Sequence, residues 1–147
     1  MTVTVTAGQS STPSFGSSAS ASASATTDGL VVPTGVLALD CPALNNADEQ
    51  TITLGDTSWH FKPSCGTDFF GHDIGAVIVY SFHDCMQACA AHNHFWGADQ
   101  CVVAHFDANM APLIKSDYGN CWLKNGSQIS GDQGGNLLAS AELVSSG

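Results

Sequence analysis

Residues 83–101 read HDCMQACAAHNHFWGADQC and hold three of the six cysteines and three of the six histidines of a 147-residue chain. Cys85 and Cys89 are four apart, so on a helix both side chains leave one face a turn apart, and each needs a partner elsewhere. The flanking residues predict that helix. Ser81 fits an N-cap with Asp84 in the first turn, and Phe82, Cys85, Met86, Cys89 and Ala90 recur at three- and four-residue spacing, which predicts a helix from Phe82 to about His92.

Outward from this segment the pattern is that of short strands. TITL (Thr51 to Leu54) and SWHFK (Ser58 to Lys62) alternate apolar with polar around GDTS and read as a hairpin. GTDFFGHDIG follows with turn residues at both ends, and AVIVY (Ala76 to Tyr80) reads as an extended apolar run. CVVAHFD (Cys101 to Asp107), NCWLK (Asn120 to Lys124) and LLASAELV (Leu137 to Val144) read as further strands. The segments between them, ANMAPLIKSDYG and NGSQISGDQGGN, are rich in turn formers. The expected fold class is α+β: a small disulfide-stapled domain with one helix packed on an antiparallel β-sheet.

Composition divides the chain. Residues 1–37 read as a flexible Ser/Ala/Thr-rich stalk or linker, bare or O-glycosylated, ending in a mildly apolar lead-in, GLVVPTGVLALD, able to dock on the domain edge. Residues 38–147 contain all the cysteines and form the expected domain, small enough for covalent staples to matter. Three lysines and no arginine against thirteen acids give a formal net charge of −10, which makes nucleic acid and other polyanions poor partners. No run of eighteen apolar residues marks a membrane span in this chain. The start, MTVTVTAGQSS, lacks the basic and apolar regions of a secretion signal while the cysteines look extracellular, so a targeting segment missing from this chain is the expectation.

Three uses of the cysteines compete. A thioredoxin-like redox pair has two intervening residues at a helix start, whereas Cys85 and Cys89 have three and lie mid-helix. A zinc site of Cys85, Cys89, Cys101 and a histidine matches none of the paired-knuckle spacings. A disulfide framework agrees with the even count and the small acidic domain, although six cysteines allow fifteen connectivities.

The ordered set CP, then a cysteine before GTDFFGHDI, then SFHDCMQACA, CVVAHF and CWLK resembles the PAN/Apple domain, in the form found in fungal surface proteins, over about residues 41–124. The resemblance implies a helix tied to the central sheet by two bridges: Cys89 with Cys101, Cys85 with Cys121, and Cys41 with Cys65 as the remaining pair. It also implies protein or carbohydrate ligands.

Other chemistry is sparse. His92 and His94, with Asp99 nearby, are candidates for a metal site or general base, but two histidines at i and i+2 where a helix ends can both face water. His60 and His105 read as half-buried sheet residues, and His72 and His83 stand beside Asp73 and Asp84. No Gly-x-Ser-x-Gly, His-Glu-x-x-His or phosphate-cradling loop is present, so neither catalytic residues nor a cofactor is expected. Strand alternation that turns Cys121 and Leu123 inward turns Trp122 and Lys124 outward, unless the sheet is covered on both faces. With Lys115 and Tyr118 nearby, this reads as a patch for a neutral sugar or a protein surface, extended by Trp96 if its loop folds back over the sheet; the alternative is that Trp96 closes the core. Asn125, in NGS, is an N-glycosylation acceptor in a secreted chain. The expected function is therefore a non-catalytic extracellular binding or adhesion module, part of a larger or anchored protein. The alternatives are a metal-dependent or thiol-redox enzyme centred on the helix cysteines and His92/His94, and a structural spacer of a wall protein.

Overall fold

The computed structural model describes residues 24–27, 29–127, 130–133 and 135–147, and of residues 24–27 the backbone only. Positions 1–23 of the expected stalk lie outside the described residues. Contacts divide the chain at Gly35 and Val36. In the first unit, β1 (Ser24–Thr27) pairs antiparallel with β2 (Leu30–Pro33), and Gly29 takes a φ of 83° in the turn. The sequence reading places no strand there, because a Ser/Ala run beside two valines has no clear period.

The second unit opens with Leu37, whose N–H bonds the Ala108 carbonyl at 2.9 Å, and Leu37 and Leu39 pack against the core. The hairpin predicted next is present as β3 (Gln50–Leu54) and β4 (Thr57–Cys65) around Gly55 at a φ of 62°. The chain continues through β5 (Thr67–Phe69), β6 (Asp73–Val77), α1 (Phe82–Trp96), β7 (Val103–Asp107), α2 (Met110–Asp117), β8 (Cys121–Lys124), β9 (Ser130–Asp132) and β10 (Leu138–Ser146). Six of these strands form one antiparallel sheet in the order β3-β4-β10-β7-β8-β6, and β5 and β9 pair separately. The α+β expectation holds, with two α-helices rather than one among the described residues.

The core lies between α1 and one face of this sheet. Phe82, Cys85, Met86, Cys89 and Ala90 meet Trp59, Phe61, Ala104, Phe106, Leu123, Ala139 and Ala141, the inward residues of alternating strands. Phe61 and Phe106 are fully buried, each contributing about 2–3 kcal/mol of transfer free energy. The alanines opposite the helix let its backbone come close enough for bridges to reach the sheet. Cys85 joins Cys121 on β8, Cys89 joins Cys101 ahead of β7, and Cys41 joins Cys65 at the end of β4. These are the pairs that the resemblance implied. With loops of 24, 36 and 12 residues, chain-entropy bookkeeping assigns each bridge roughly 3–4 kcal/mol.

Three elements differ from expectation. The helix runs four residues past His92 and ends at Gly97, which takes the left-handed conformation at a φ of 82°. The added turn is held by Asn93, whose amide donates to Cys101 O (2.8 Å) and accepts from Cys101 N–H (2.7 Å). At the N-terminus the Ser81 hydroxyl accepts from Asp84 N–H as predicted, at 3.0 Å. The stretch read as turns contains α2; Pro112 falls in its first turn, where no N–H is needed for the helix ladder, and Tyr118 ends it at a φ of 60°. The apolar run AVIVY leaves the sheet at Val77, because Asn120 captures Val79 through both its N–H (2.9 Å to Oδ1) and its carbonyl (2.9 Å from Nδ2).

Candidate functional site

Cys121 and Leu123 of β8 face α1, so Trp122 and Lys124 leave the sheet on its far face. That face is covered. Two hydrogen bonds pin the start of β5 across it: Gly66 N–H to Leu138 O at 2.8 Å and Ser140 Oγ to Thr67 O at 2.6 Å. With β5 and α2 on this side, Lys124 is only 4% exposed and Trp122 half-buried, not the outward pair that alternation alone implies.

Between these elements lies an open cleft of about 290 Å³. Trp122 and Lys124 meet His105 there, with Asp68, Asp73 and Asp117 and the apolar Leu113 around them. The Lys124 ammonium donates to Asp73 Oδ1 at 2.7 Å and to Gly71 O at 3.4 Å, and lies 3.7 Å from Asp68 Oδ1. Burying a lysine costs several kcal/mol unless it is paired and hydrogen-bonded, and these contacts supply both. The Asp68 oxygen is less well served: it is buried without a hydrogen-bond donor among the described residues, at a cost of about 1–3 kcal/mol.

His105 forms the back of the cleft. The single hydroxyl hydrogen of Ser140 goes to Thr67 O, so at the 2.8 Å contact between His105 Nδ1 and Ser140 Oγ the ring nitrogen is the donor. Burial lowers the His105 pKa below 6.5, against the pull of Asp68, whose Oδ1 lies 3.5 Å from Nδ1. Trp122 rests on this ring at 5.5 Å between centroids, tilted by 36°. The arrangement is not that of an activated nucleophile. Ser140 is 1% exposed with its proton committed to the backbone, and it meets the protonated nitrogen of His105 rather than a basic one.

Trp96 belongs to a different place. It lies in the last turn of α1, the helix on the opposite face of the sheet from Trp122, so the two do not form one patch. Nor does it close the core: it is 64% exposed and stacks on His92, with planes 5° apart, while Phe95 beside it is 86% exposed. Tyr118 and Lys115 are exposed at the end of α2.

Of the histidines and the acid near the helix end, His94 and Asp99 border a second cavity and His92 is not in its lining. Asp99 accepts from Trp59 Nε1 at 2.9 Å and from Ser146 Oγ, His92 meets Gln100 at 3.4 Å, and His94 packs edge-on against Trp59 and Phe95. That cavity, of about 310 Å³, lies between Thr57, Trp59, His94 and Asp99. Among the described residues no cysteine is free, and no group of three His, Cys, Asp or Glu is placed to hold a metal ion.

Sequence reasoning missed Asp68, Asp73, Asp117 and Leu113 as cleft residues, and placed His105 half-buried where it is 6% exposed. The period-two alternation of VAHFD sets His105 on the face opposite Ala104 and Phe106, but its place beside Trp122 comes from the register of β7 with β8, which the sequence reading did not supply. No protein-family model matches the chain, and neither the curated proteins nor the solved structures provide a match.

Proposed function

We propose that the chain is a non-catalytic extracellular binding module of PAN/Apple type, taking a protein or carbohydrate ligand in the cleft of Trp122. The observation that carries this reading is the cleft itself: one aromatic ring, an apolar wall from Leu113, and convergent polar groups on a scaffold stapled by three bridges. Its chemistry narrows the ligand. All of Lys124's contacts are with protein acceptors, which leaves the carboxylates of Asp73 and Asp117 as the cleft's offering, and a partner rich in hydroxyl or amide donors suits them. Polyanions are disfavoured by those same carboxylates and by the net charge.

The enzyme alternative needs thiolates, and every described cysteine is bonded to another. A small domain with three bridges is compatible with an oxidising, extracellular setting. No helix of the described residues is long and apolar enough to cross a membrane.

The test is binding to a glycan array and to cell-surface extracts, with melting temperature followed in parallel. Trp122→Ala is expected to weaken binding by about 2 kcal/mol, roughly thirtyfold, with recovery in Trp122→Phe. Binding by the wild type that a folded Trp122→Ala variant retains in full refutes the cleft as the ligand site. A wild type with no saturable ligand leaves the spacer reading.

A further inference from the structure

We propose that Asn125 carries an N-linked glycan and that this glycan shields the Trp122 cleft. Asn125-Gly126-Ser127 is the one Asn-x-Ser/Thr sequence in the chain. The structure adds two facts that the motif does not contain. First, Asn125 is exposed in the bend that follows β8, and its side-chain amide has no hydrogen-bond partner among the described residues, so Nδ2 is available for modification. Its backbone is fixed instead, with the N–H donating to His72 O at 2.9 Å. Second, Asn125 adjoins the residues that line the cleft without lining it itself. It is bonded covalently to Lys124 and through its backbone to the residue before Asp73, and both Lys124 and Asp73 line the cleft.

The modification is a group transfer from a lipid-diphosphate-linked oligosaccharide. Asn125 Nδ2 forms a bond to the anomeric carbon of the first sugar, the bond from that carbon to the diphosphate oxygen breaks, the lipid diphosphate leaves, and the displaced amide proton passes to solvent. A hydrated glycan rooted at exposed Asn125, next to Lys124 and held by its backbone to His72, stays outside the packed core and is large enough to reach over the neighbouring opening. Access to Trp122 is then set by what passes the sugar, which favours small or extended ligands over broad surfaces. This inference rests on the reading of the chain as secreted and of the cleft as the ligand site.

The experiment is to secrete the full chain from a glycosylating eukaryotic cell behind a signal sequence, alongside Asn125→Gln and Ser127→Ala, the latter keeping the asparagine itself. Intact mass before and after an amidase that cuts the Asn–sugar bond reports the glycan separately from any sugar on serine or threonine. Hydroxyl-radical oxidation mapped to each tryptophan then reads the shielding without any ligand. The wild type is expected to lose one glycan mass at Asn125, to show at least twofold less oxidation at Trp122 than either variant, and to match them at Trp96, on the opposite side of the sheet. Amidase treatment of the folded wild type is expected to restore Trp122 oxidation. A secreted wild type without sugar at Asn125 overturns the modification, and equal Trp122 oxidation with and without the sugar overturns the shielding. Neither result touches the cleft reading, which stands or falls on ligand binding by Trp122→Ala.

Discussion

Replacing Asn93 with alanine removes the contact that carries α1 past His92. Asn93 is 2% exposed, and its amide makes two hydrogen bonds to Cys101, itself fully buried. The substitution deletes both bonds and strands one buried N–H and one buried carbonyl. Each orphaned group costs about 1–3 kcal/mol, so the total is about 3–4 kcal/mol once partial relaxation is allowed. In a folding unit of about 110 residues the unfolding entropy converts this to a fall in melting temperature of about 12–16 °C. The Cys89–Cys101 bridge limits how far the loop moves and keeps water from replacing the amide. Thermal unfolding of the oxidised protein by near-ultraviolet circular dichroism measures the shift, and intact mass confirms the three bridges. A fall of less than about 4 °C refutes the reasoning, because it means the Cys101 groups find other partners at no cost. In that case α1 is held by its bridges alone.

Three further outcomes are expected. Lys124→Met leaves Asp68 and Asp73 without their cation; with Asp73 half-exposed and screened by water, the loss is about 2–3 kcal/mol in chemical denaturation, and adding Asp68→Asn recovers part of it. His105 has its pKa lowered, by burial first, so the folded chain resists a proton that the unfolded chain accepts; its contribution is fully present above about pH 6.5 and is lost as pH falls through the folded value. Denaturation midpoints between pH 7.5 and 5 therefore fall more steeply for the wild type than for His105→Gln, and parallel slopes contradict the assignment. Gly119→Ala puts a Cβ at 2.8 Å from the Val77 carbonyl oxygen, a backbone atom that cannot swing aside, and costs about 1–3 kcal/mol in the same assay. Gly131→Ala meets the movable side chains of half-exposed Phe70 and of Gln133 rather than backbone, and is expected to cost less.

Period and spacing alone determined most of the local structure. Ser81 and the three-and-four recurrence from Phe82 place α1 because a helix relates residues only a turn apart, and the alternation in TITL, SWHFK and CWLK places strands for the same short-range reason. Cysteine count and chain size pointed to staples, and the family resemblance to the pairs. The second helix escaped because Pro112, a tolerated first-turn residue, looks from sequence like a turn former. The extra turn of α1 escaped because its support is a hydrogen bond to Cys101, beyond the helix. The face of β8 was readable, since Trp122 and Lys124 must lie opposite Cys121 and Leu123. What covers that face was not: β5 arrives from more than fifty residues upstream, bringing Asp68 to Lys124 and Thr67 to Ser140. Burial, pairing and the pKa of His105 all depend on that arrival, so the cleft exists only once distant segments pack. Trp96 and Trp122 show the same division: the side of the sheet on which each lies is set by the packing of α1, which carries Trp96, and by the opposite face of β8, which carries Trp122.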